Sequence, residues 1–196
     1  MTAAAQLDPA HTALLVMDYQ AGLVERLPDP GSLLDRVEAA ITDVRARGGH
    51  VGWVRVGFVD ADLDAIPPSS VMARLVTPER RAALHADAPA SQIHGRLRPH
   101  PHDPSVRKTR VGAFTTTDLD DQLCARGVDT LVLAGISTSG VVLSTVREAM
   151  DRDYRIVVLR DACADPEPDI HAFLTGSIFP RHALVTDVED LRGLWS

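Results

Sequence analysis

The chain has 196 residues, of which 45% are hydrophobic and 24% are charged, and its formal net charge is -7. This length and this balance predict one globular domain over residues 1–196 and argue against intrinsic disorder. The acidic balance also argues against a nucleic-acid or anionic-membrane partner, because both require a basic protein surface.

Apolar runs and stretches of helical spacing alternate from the start of the chain. Residues 13–17 form a short continuous apolar run, which is typical of a strand buried on both faces. Residues 32–47 place their apolar side chains on one helical face, with Ser32 as the expected N-cap. A second strand is predicted over residues 51–58.

The following stretch, residues 59–104, is rich in Pro, His, Asp and Ser. We interpret it as a long excursion that shapes a site, with one short helix near residues 78–85. The alternation then resumes, with predicted strands at 106–108, 130–134, 155–159 and 183–185 and predicted helices at 117–126, 139–152, 169–178 and 188–194. Repeated strand–helix alternation predicts a parallel sheet covered by helices on both faces.

Ligands of such sheets bind beyond the carboxyl ends of the strands, so the residues that follow each apolar run are candidates for chemistry. Asp18 ends the first strand and either caps the next turn or acts as a general acid or base. Lys108 is the only lysine among 20 basic residues, and its compact ammonium supports proton chemistry that guanidinium cannot. The loop at 135–140 suits an anion or a developing oxyanion, although a tight structural turn would have the same composition.

Four motifs, taken together and in order, resemble the isochorismatase-like hydrolases, also called the cysteine hydrolase superfamily. They are Asp18-Tyr19-Gln20, Lys108-x-Arg110-x-x-Ala113-Phe114, Leu133-Ala134-Gly135-Ile136-Ser137-Thr138 with Thr145 downstream, and Asp161-Ala162-Cys163-Ala164. The resemblance implies a three-layer α-β-α fold with a six-stranded parallel sheet in the order 3-2-1-4-5-6. It also implies a homodimer or homotetramer that acts on a small molecule.

The resemblance implies a catalytic triad in which Asp18 and Lys108 are joined by a cysteine. Counting six residues from Gly135 places that nucleophile at Val141, which has no nucleophilic atom. The matched motifs also imply a cis peptide bond between Ile136 and Ser137 and an oxyanion hole formed by the N–H groups of Ser137 and Val141. The residues expected to line the substrate pocket are Gln20, Arg110, Phe114 and Thr138.

The two cysteines, Cys124 and Cys163, lie elsewhere in the sequence and are interpreted as small buried side chains. Metal-binding members of the superfamily carry an Asp and His cluster after the second strand, whereas residues 57–62 contain no histidine. No metal and no cofactor are therefore expected. Ser139 is interpreted as the cap of the following helix, and the alternative that a nearby serine replaces the thiol stays open.

A missing thiol favours vinyl-ether hydrolysis over amide hydrolysis, since superfamily members without the thiol cleave a vinyl ether. That reaction delivers a proton to carbon, and water then adds to an oxocarbenium ion. Asp18 is expected to supply the proton, with Lys108 holding charge or a carboxylate of a small anionic substrate.

The sequence is also compatible with other functions. The main alternative is a catalytically impaired family member that acts as a small-molecule binding protein. A haloacid-dehalogenase-like phosphatase would need a second aspartate where Gln20 stands. Residues 1–9 show no targeting pattern and no apolar run approaches the roughly 20 residues that span a bilayer, so a cytoplasmic protein is expected.

Overall fold

The computed structural model describes residues 6–196, so part of the 1–9 segment lies outside the described residues. The strands are β1 (Thr12–Met17), β2 (His50–Val56), β3 (Ser105–Lys108), β4 (Thr130–Ile136), β5 (Arg155–Ala164) and β6 (Leu184–Thr186). They form one parallel sheet in the order β3-β2-β1-β4-β5-β6. The predicted fold class and strand order are confirmed.

The α-helices are α1 (Ala21–Val24), α2 (Pro30–Ala46), α3 (Asp60–Asp64), α4 (Val71–Leu75), α5 (Pro78–Leu84), α6 (Leu119–Cys124), α7 (Leu143–Met150), α8 (Pro168–Phe173) and α9 (Val188–Leu191). Two π-helical segments, Thr138–Val142 and Leu174–Ile178, adjoin α7 and α8. Within residues 6–196, no helix is both long enough and apolar enough to cross a bilayer.

Strand β1 lies at the centre of the molecule and all six of its residues are buried. Successive side chains of a strand point to opposite faces. Leu14 and Val16 therefore enter the core beneath α2, whereas Leu15 and Met17 enter the core beneath α6 and α7. This two-sided burial explains why β1 reads as an uninterrupted apolar run.

Helix α2 begins two residues earlier than predicted, and the prediction that Ser32 caps it is wrong. Asp29 is the N-cap, and its Oδ1 accepts a hydrogen bond from the backbone N–H of Ser32 at 3.1 Å. Pro30 occupies the first helical turn, where the lack of an N–H costs nothing.

The excursion at 59–104 contains three short helices, α3, α4 and α5, where one was predicted. Helices of five residues are too short to show a helical period, which is why α3 and α4 were missed. Isolated bridges tie the excursion to the sheet end, since Phe58 pairs with His85 and Gln20 pairs with Ile93.

Strand β5 continues to Ala164, five residues beyond its predicted end. The charged residues Arg160 and Asp161 interrupt the apolar run, and the alignment with β4 shifts between Leu133 and Gly135. Pairing then resumes between Gly135 and Cys163. The fourth motif is therefore part of the sheet and not a loop that follows it.

Candidate active site

Asp18 directly follows β1 and turns away from the strand with a φ of 58°. Asparagine and aspartate adopt this left-handed conformation more readily than most non-glycine residues. Its backbone N–H still donates to the carbonyl oxygen of Val54 on β2, at 2.8 Å. The side chain is only 7% exposed, so the carboxyl group lies almost entirely away from bulk water.

Lys108 ends β3 and reaches across β2 to Asp18. Its Nζ lies 2.8 Å from Asp18 Oδ2, and both side chains are buried. Nζ also donates to the carbonyl oxygens of Arg110 at 3.2 Å and Val111 at 3.0 Å. An ammonium group has three N–H donors, so these three acceptors use all of them. The geometry favours Lys108 holding charge against Asp18 over the alternative in which it binds a substrate carboxylate.

The two oxygens of the Asp18 carboxyl group differ in their hydrogen-bond partners. Oδ2 is held by Lys108, whereas Oδ1 is buried with no hydrogen-bond partner among the described residues. Burial raises the pKa of this carboxyl group above its ordinary value, and the nearby Lys108 ammonium opposes that rise without cancelling it. A carboxyl group with one free oxygen and a raised pKa can hold and deliver a proton.

The predicted oxyanion loop follows β4, and the peptide bond between Ile136 and Ser137 is cis. The chain then enters the π-helical segment, where the carbonyl oxygen of Ser137 accepts from the N–H groups of Gly140 at 3.2 Å and Val142 at 3.3 Å. The prediction that Ser139 caps this helix is wrong. Its N–H instead donates to Asp165 Oδ2 at 2.7 Å, so a residue beyond β5 performs the capping.

A family model described as the isochorismatase domain matches residues 12–190. This chain belongs to the isochorismatase family. The ureidoacrylate amidohydrolase RutB of Methylobacterium radiotolerans is 33% identical over 204 residues, covering 93% of this chain and 78% of that relative.

Solved structures agree with the family assignment. An isochorismatase family protein from Burkholderia thailandensis has a TM-score of 0.83 and 32% identity, covering 96% of this chain and 97% of that one. N-carbamoylsarcosine amidase from Thermoplasma acidophilum has a TM-score of 0.74 and 25% identity, covering 91% and 96%. The chain is thus an isochorismatase-family hydrolase.

Val141 lies in the π-helical segment of this isochorismatase-family protein and is 2% exposed. Its side chain belongs to the apolar core beneath α6 and α7. An apolar core side chain therefore stands where the resemblance implies a thiol.

The two cysteines occupy different environments. Cys163 is buried as predicted, its Sγ lies 3.9 Å from the carbonyl oxygen of Leu133, and burial raises the pKa of its thiol to about 12. A thiol with that pKa is almost wholly protonated near neutral pH, which disfavours nucleophilic attack. The prediction that Cys124 is buried is wrong, because it lies on the exposed side of α6 with its Sγ 3.8 Å from Tyr154 Oη.

The predicted pocket residue Gln20 uses its whole amide group within the protein. Its Nε2 donates to the carbonyl oxygens of Val56 and Ser91, both at 2.8 Å, and its Oε1 accepts from the N–H of Val56 at 2.9 Å. The amide group of Gln20 thus makes the same pair of hydrogen bonds with the backbone of Val56 that a neighbouring strand would make. It also lines a cavity of about 180 Å³ beside α1 and α5.

Arg110 and Phe114 lie in the loop that follows Lys108. The guanidinium of Arg110 donates to the carbonyl oxygen of Thr109 at 2.7 Å. Phe114 is 3% exposed and packs its ring on Tyr154, with the Arg152 guanidinium 4.8 Å from its centroid. The structure therefore shows Phe114 engaged in packing between this loop and the chain around α7.

His171 on α8 was not predicted as part of the site. Its Nδ1 lies 2.8 Å from Thr138 Oγ1, in the segment that follows the cis peptide bond. Burial lowers the pKa of His171, which favours the neutral ring. Nothing local in the sequence indicates this contact, because α8 and the Thr138 segment meet only after the chain has folded.

A metal site would need clustered ligands. Among residues 6–196, no group of three or more His, Cys, Asp or Glu side chains is arranged to hold a metal ion. After β2, Asp62 Oδ2 accepts instead from Arg107 Nη1 at 2.7 Å and from the N–H of Val59 at 3.0 Å.

Proposed function

We propose that this isochorismatase-family hydrolase cleaves a small anionic vinyl ether by acid–base chemistry at Asp18 and Lys108. The observation that supports this most directly is the asymmetry of the buried carboxyl group. Lys108 holds Oδ2 at 2.8 Å, and Oδ1 has no partner among the described residues. A buried polar atom without a partner is unfavourable, so Oδ1 is the atom that a substrate would meet.

In the proposed reaction, protonated Asp18 donates its proton from Oδ1 to the terminal carbon of the vinyl group. The C=C electron pair forms the new C–H bond, and the ether oxygen stabilises the resulting oxocarbenium ion. Water adds to that cation and gives up a proton to the Asp18 carboxylate, and the resulting hemiketal loses its alcohol to leave a ketone. Lys108 stabilises the Asp18 carboxylate that forms when the proton leaves.

The absence of a nucleophile at the matched position supports this route. Acyl-enzyme formation needs a nucleophilic side chain beside the base, and Val141 has none. Vinyl-ether cleavage needs no covalent intermediate with the protein. In this proposal the N–H groups of Ser137 and Val141, with Ile136 shaping the turn, face a carboxylate of the anionic substrate.

In this proposal the remaining pocket residues bind and surround the substrate. Arg110 and Thr138 supply polar contacts to an anionic substrate, while Phe114 and the bound amide of Gln20 shape the walls. Neither a metal nor a cofactor takes part.

Amide hydrolysis is the second candidate, and the relatives favour it. One relative is a ureidoacrylate amidohydrolase, and one structural neighbour is an N-carbamoylsarcosine amidase. In this chain, that chemistry would need water or a hydroxyl group to replace the thiol, with Asp18 as the general base. A binding protein that retains the pair without turnover is the third possibility.

To distinguish these candidates, the purified protein is incubated in D₂O with each of two substrates, a simple 2-alkoxyacrylate and ureidoacrylate. Vinyl-ether hydrolysis releases a 2-oxo acid whose new methyl group carries one deuterium, because the proton is delivered to carbon. Amide hydrolysis of the ureido group releases ammonia and carbon dioxide and leaves an aminoacrylate, so no 2-oxo acid forms. Mass spectrometry of the products distinguishes the two reactions.

The proposal expects turnover of the 2-alkoxyacrylate that falls about 10²–10⁴-fold in Asp18→Asn and in Lys108→Met, the usual range for acid–base catalysis. Asp64→Asn is the matched control, because the exposed Asp64 side chain pairs with no side chain other than Arg81 within residues 6–196. Turnover of ureidoacrylate alone would establish the second candidate. Binding of either probe with no product would establish the third, and full activity in either site variant would overturn the assignment of the pair.

A further inference from the structure

The Lys108 ammonium is oriented by a loop that has no regular secondary structure. Two of its three acceptors, the carbonyl oxygens of Arg110 and Val111, lie in the segment 109–117 between β3 and α6. Neither a helix nor a strand fixes these carbonyl groups. Their positions depend on hydrogen bonds within the loop, such as that from Thr109 N–H to Thr116 Oγ1 at 3.1 Å, and on contacts that hold the loop from outside.

Helix α7 holds the loop through one carboxylate. Glu148 Oε2 accepts from the backbone N–H of Phe114 at 3.1 Å, and Glu148 Oε1 accepts from the hydroxyl group of Thr115. One turn earlier, the buried Thr145 Oγ1 accepts from the N–H of Ala113 at 3.2 Å. Three consecutive loop residues are therefore bound to one face of α7.

Gly112 shows how closely the loop approaches this carboxylate. A Cβ atom added there would lie 2.2 Å from Glu148 Oε2 and 2.6 Å from Glu148 Cδ, well inside van der Waals contact. Gly112 does not adopt a positive φ, so the close approach and not the backbone conformation requires glycine. An alanine at this position would displace the flexible end of Glu148 and leave the backbone path intact.

We propose that Glu148 is a positioning residue that clamps the 112–115 segment and so holds the Lys108 ammonium against Asp18. Residues 145 and 148 share one face of α7, because positions three apart in an α-helix align. Helix α7 thus carries the clamp on Lys108, and the π-helical segment that leads into it carries the candidate nucleophile position. This role rests on the proposed function of the Asp18–Lys108 pair, although the geometry can be tested without it.

The chain offers a direct probe of the clamp, since Lys108 is its only lysine. Protein grown with ¹³C,¹⁵N-lysine gives one side-chain Nζ signal, which reports the ammonium without any substrate. In Glu148→Ala, we expect this signal to shift and its ammonium protons to exchange faster with water. Glu148→Gln keeps one acceptor oxygen of two, so an intermediate change is expected. Glu189→Gln, an exposed residue of α9, is the control that leaves the signal unchanged.

Gly112→Ala separates the clamp from a general loss of stability. In the wild-type background it should change the Nζ signal much as Glu148→Ala does. In the Glu148→Ala background it should add nothing, because the atom that it would displace is gone. Circular dichroism verifies that each variant is folded. If Glu148→Ala fails to fold, Glu148→Gln and Gly112→Ala still test the proposal.

An unchanged Nζ signal in the folded Glu148 variants would overturn the proposal. So would a Gly112→Ala effect that is equally large with and without Glu148, because it would reveal a backbone effect. With the 2-alkoxyacrylate probe, kcat should fall about 10- to 100-fold with little change in KM, as small misplacements of catalytic groups do. A shifted Nζ signal in a protein that turns over no vinyl ether would uphold the clamp and reject only the proposed function.

Discussion

At the scale of single residues, the sequence identified Asp18 and Lys108 and the structure brings them together. Residue type carried this inference: an acid at the end of an apolar strand, and one ammonium among 19 guanidinium groups. The hydrogen-bond partners of the Lys108 ammonium could not be predicted from the sequence. They include carbonyl groups of Arg110 and Val111 that turn back toward Nζ, and loop conformation leaves no periodic signal in a sequence.

The raised pKa of Asp18 makes a thermodynamic prediction. The side chain of asparagine resembles the protonated carboxyl group. Below the ordinary aspartate pKa of 3.8, the free energies of unfolding of Asp18→Asn and of the wild type should therefore change with pH in the same way. A folded-state pKa above the unfolded one stabilises the wild type fully below 3.8, and this contribution is lost as pH rises through the raised value. The wild type should therefore lose stability relative to Asp18→Asn across that window.

Urea unfolding of both proteins at a series of pH values measures the difference. A tenfold change in proton affinity between the folded and unfolded states corresponds to about 1.4 kcal/mol. If the wild type instead gains stability relative to Asp18→Asn as pH rises, the attraction of Lys108 outweighs the effect of burial and the stated direction is wrong.

At the scale of elements, long periodic segments were predicted well and short or charged ones were not. Helix α2 and strands β1 and β4 were recognised because burial imposes a regular pattern on them. Helices α1, α3 and α4 have four or five residues, which is barely one turn. The second half of β5 was missed because hydrogen bonding to β4 persists beyond the charged residues that end its apolar run.

The π-helical segment before α7 allows a test of the nucleophile position. In a Cys124→Ser background, which removes the exposed thiol, Val141→Cys should form an acyl-enzyme with a simple activated amide. Asp18 would act as its base, so acylation should be about 100-fold faster than in Val142→Cys, within the range of general base catalysis. Intact-protein mass spectrometry detects the added acyl group.

Val142→Cys is a matched control, because Val142 is the next residue of the same segment and is also buried. Adding Asp18→Asn to Val141→Cys should abolish the acylation. Equal reaction at both positions, or no reaction at 141, would show that the count from Gly135 does not locate the nucleophile position.

At the scale of the whole molecule, the two ends of the described chain close against each other. Leu7 bridges to Trp195, with Leu7 N–H donating to the carbonyl oxygen of Leu194 at 2.7 Å and Ser196 N–H donating to that of Leu7 at 2.9 Å. Trp195 is 6% exposed, and its Nε1 donates to Asp43 Oδ2 on α2 at 2.8 Å. The closing segment therefore covers the core beneath α2.

Trp195→Ala should lower the free energy of unfolding by about 3–5 kcal/mol, the usual effect of removing a buried tryptophan. Trp195→Phe keeps an apolar ring and leaves Asp43 without this donor, so a smaller loss of about 1–3 kcal/mol is expected. Chemical denaturation measures both. A loss below about 0.5 kcal/mol for Trp195→Ala, as at ordinary surface sites, would show that the closure contributes little.

Several whole-molecule predictions stay predictions. They are one domain over residues 1–196, a homodimer or homotetramer, and a cytoplasmic location. Gel filtration with light scattering would measure the second of these directly.

The sequence by itself indicated the alternation of strands and helices, the family, and Asp18 and Lys108 as candidate site residues. These follow from local patterns of apolar residues and from the rarity of a residue type, both of which are readable along the chain. Tertiary structure alone decided that all three ammonium donors of Lys108 are used, that Asp18 Oδ1 has no partner among the described residues, and that Glu148 and His171 contact the loops of the site. Each of these facts depends on which atoms folding brings close together. The spacing of residues along the sequence does not indicate those distances.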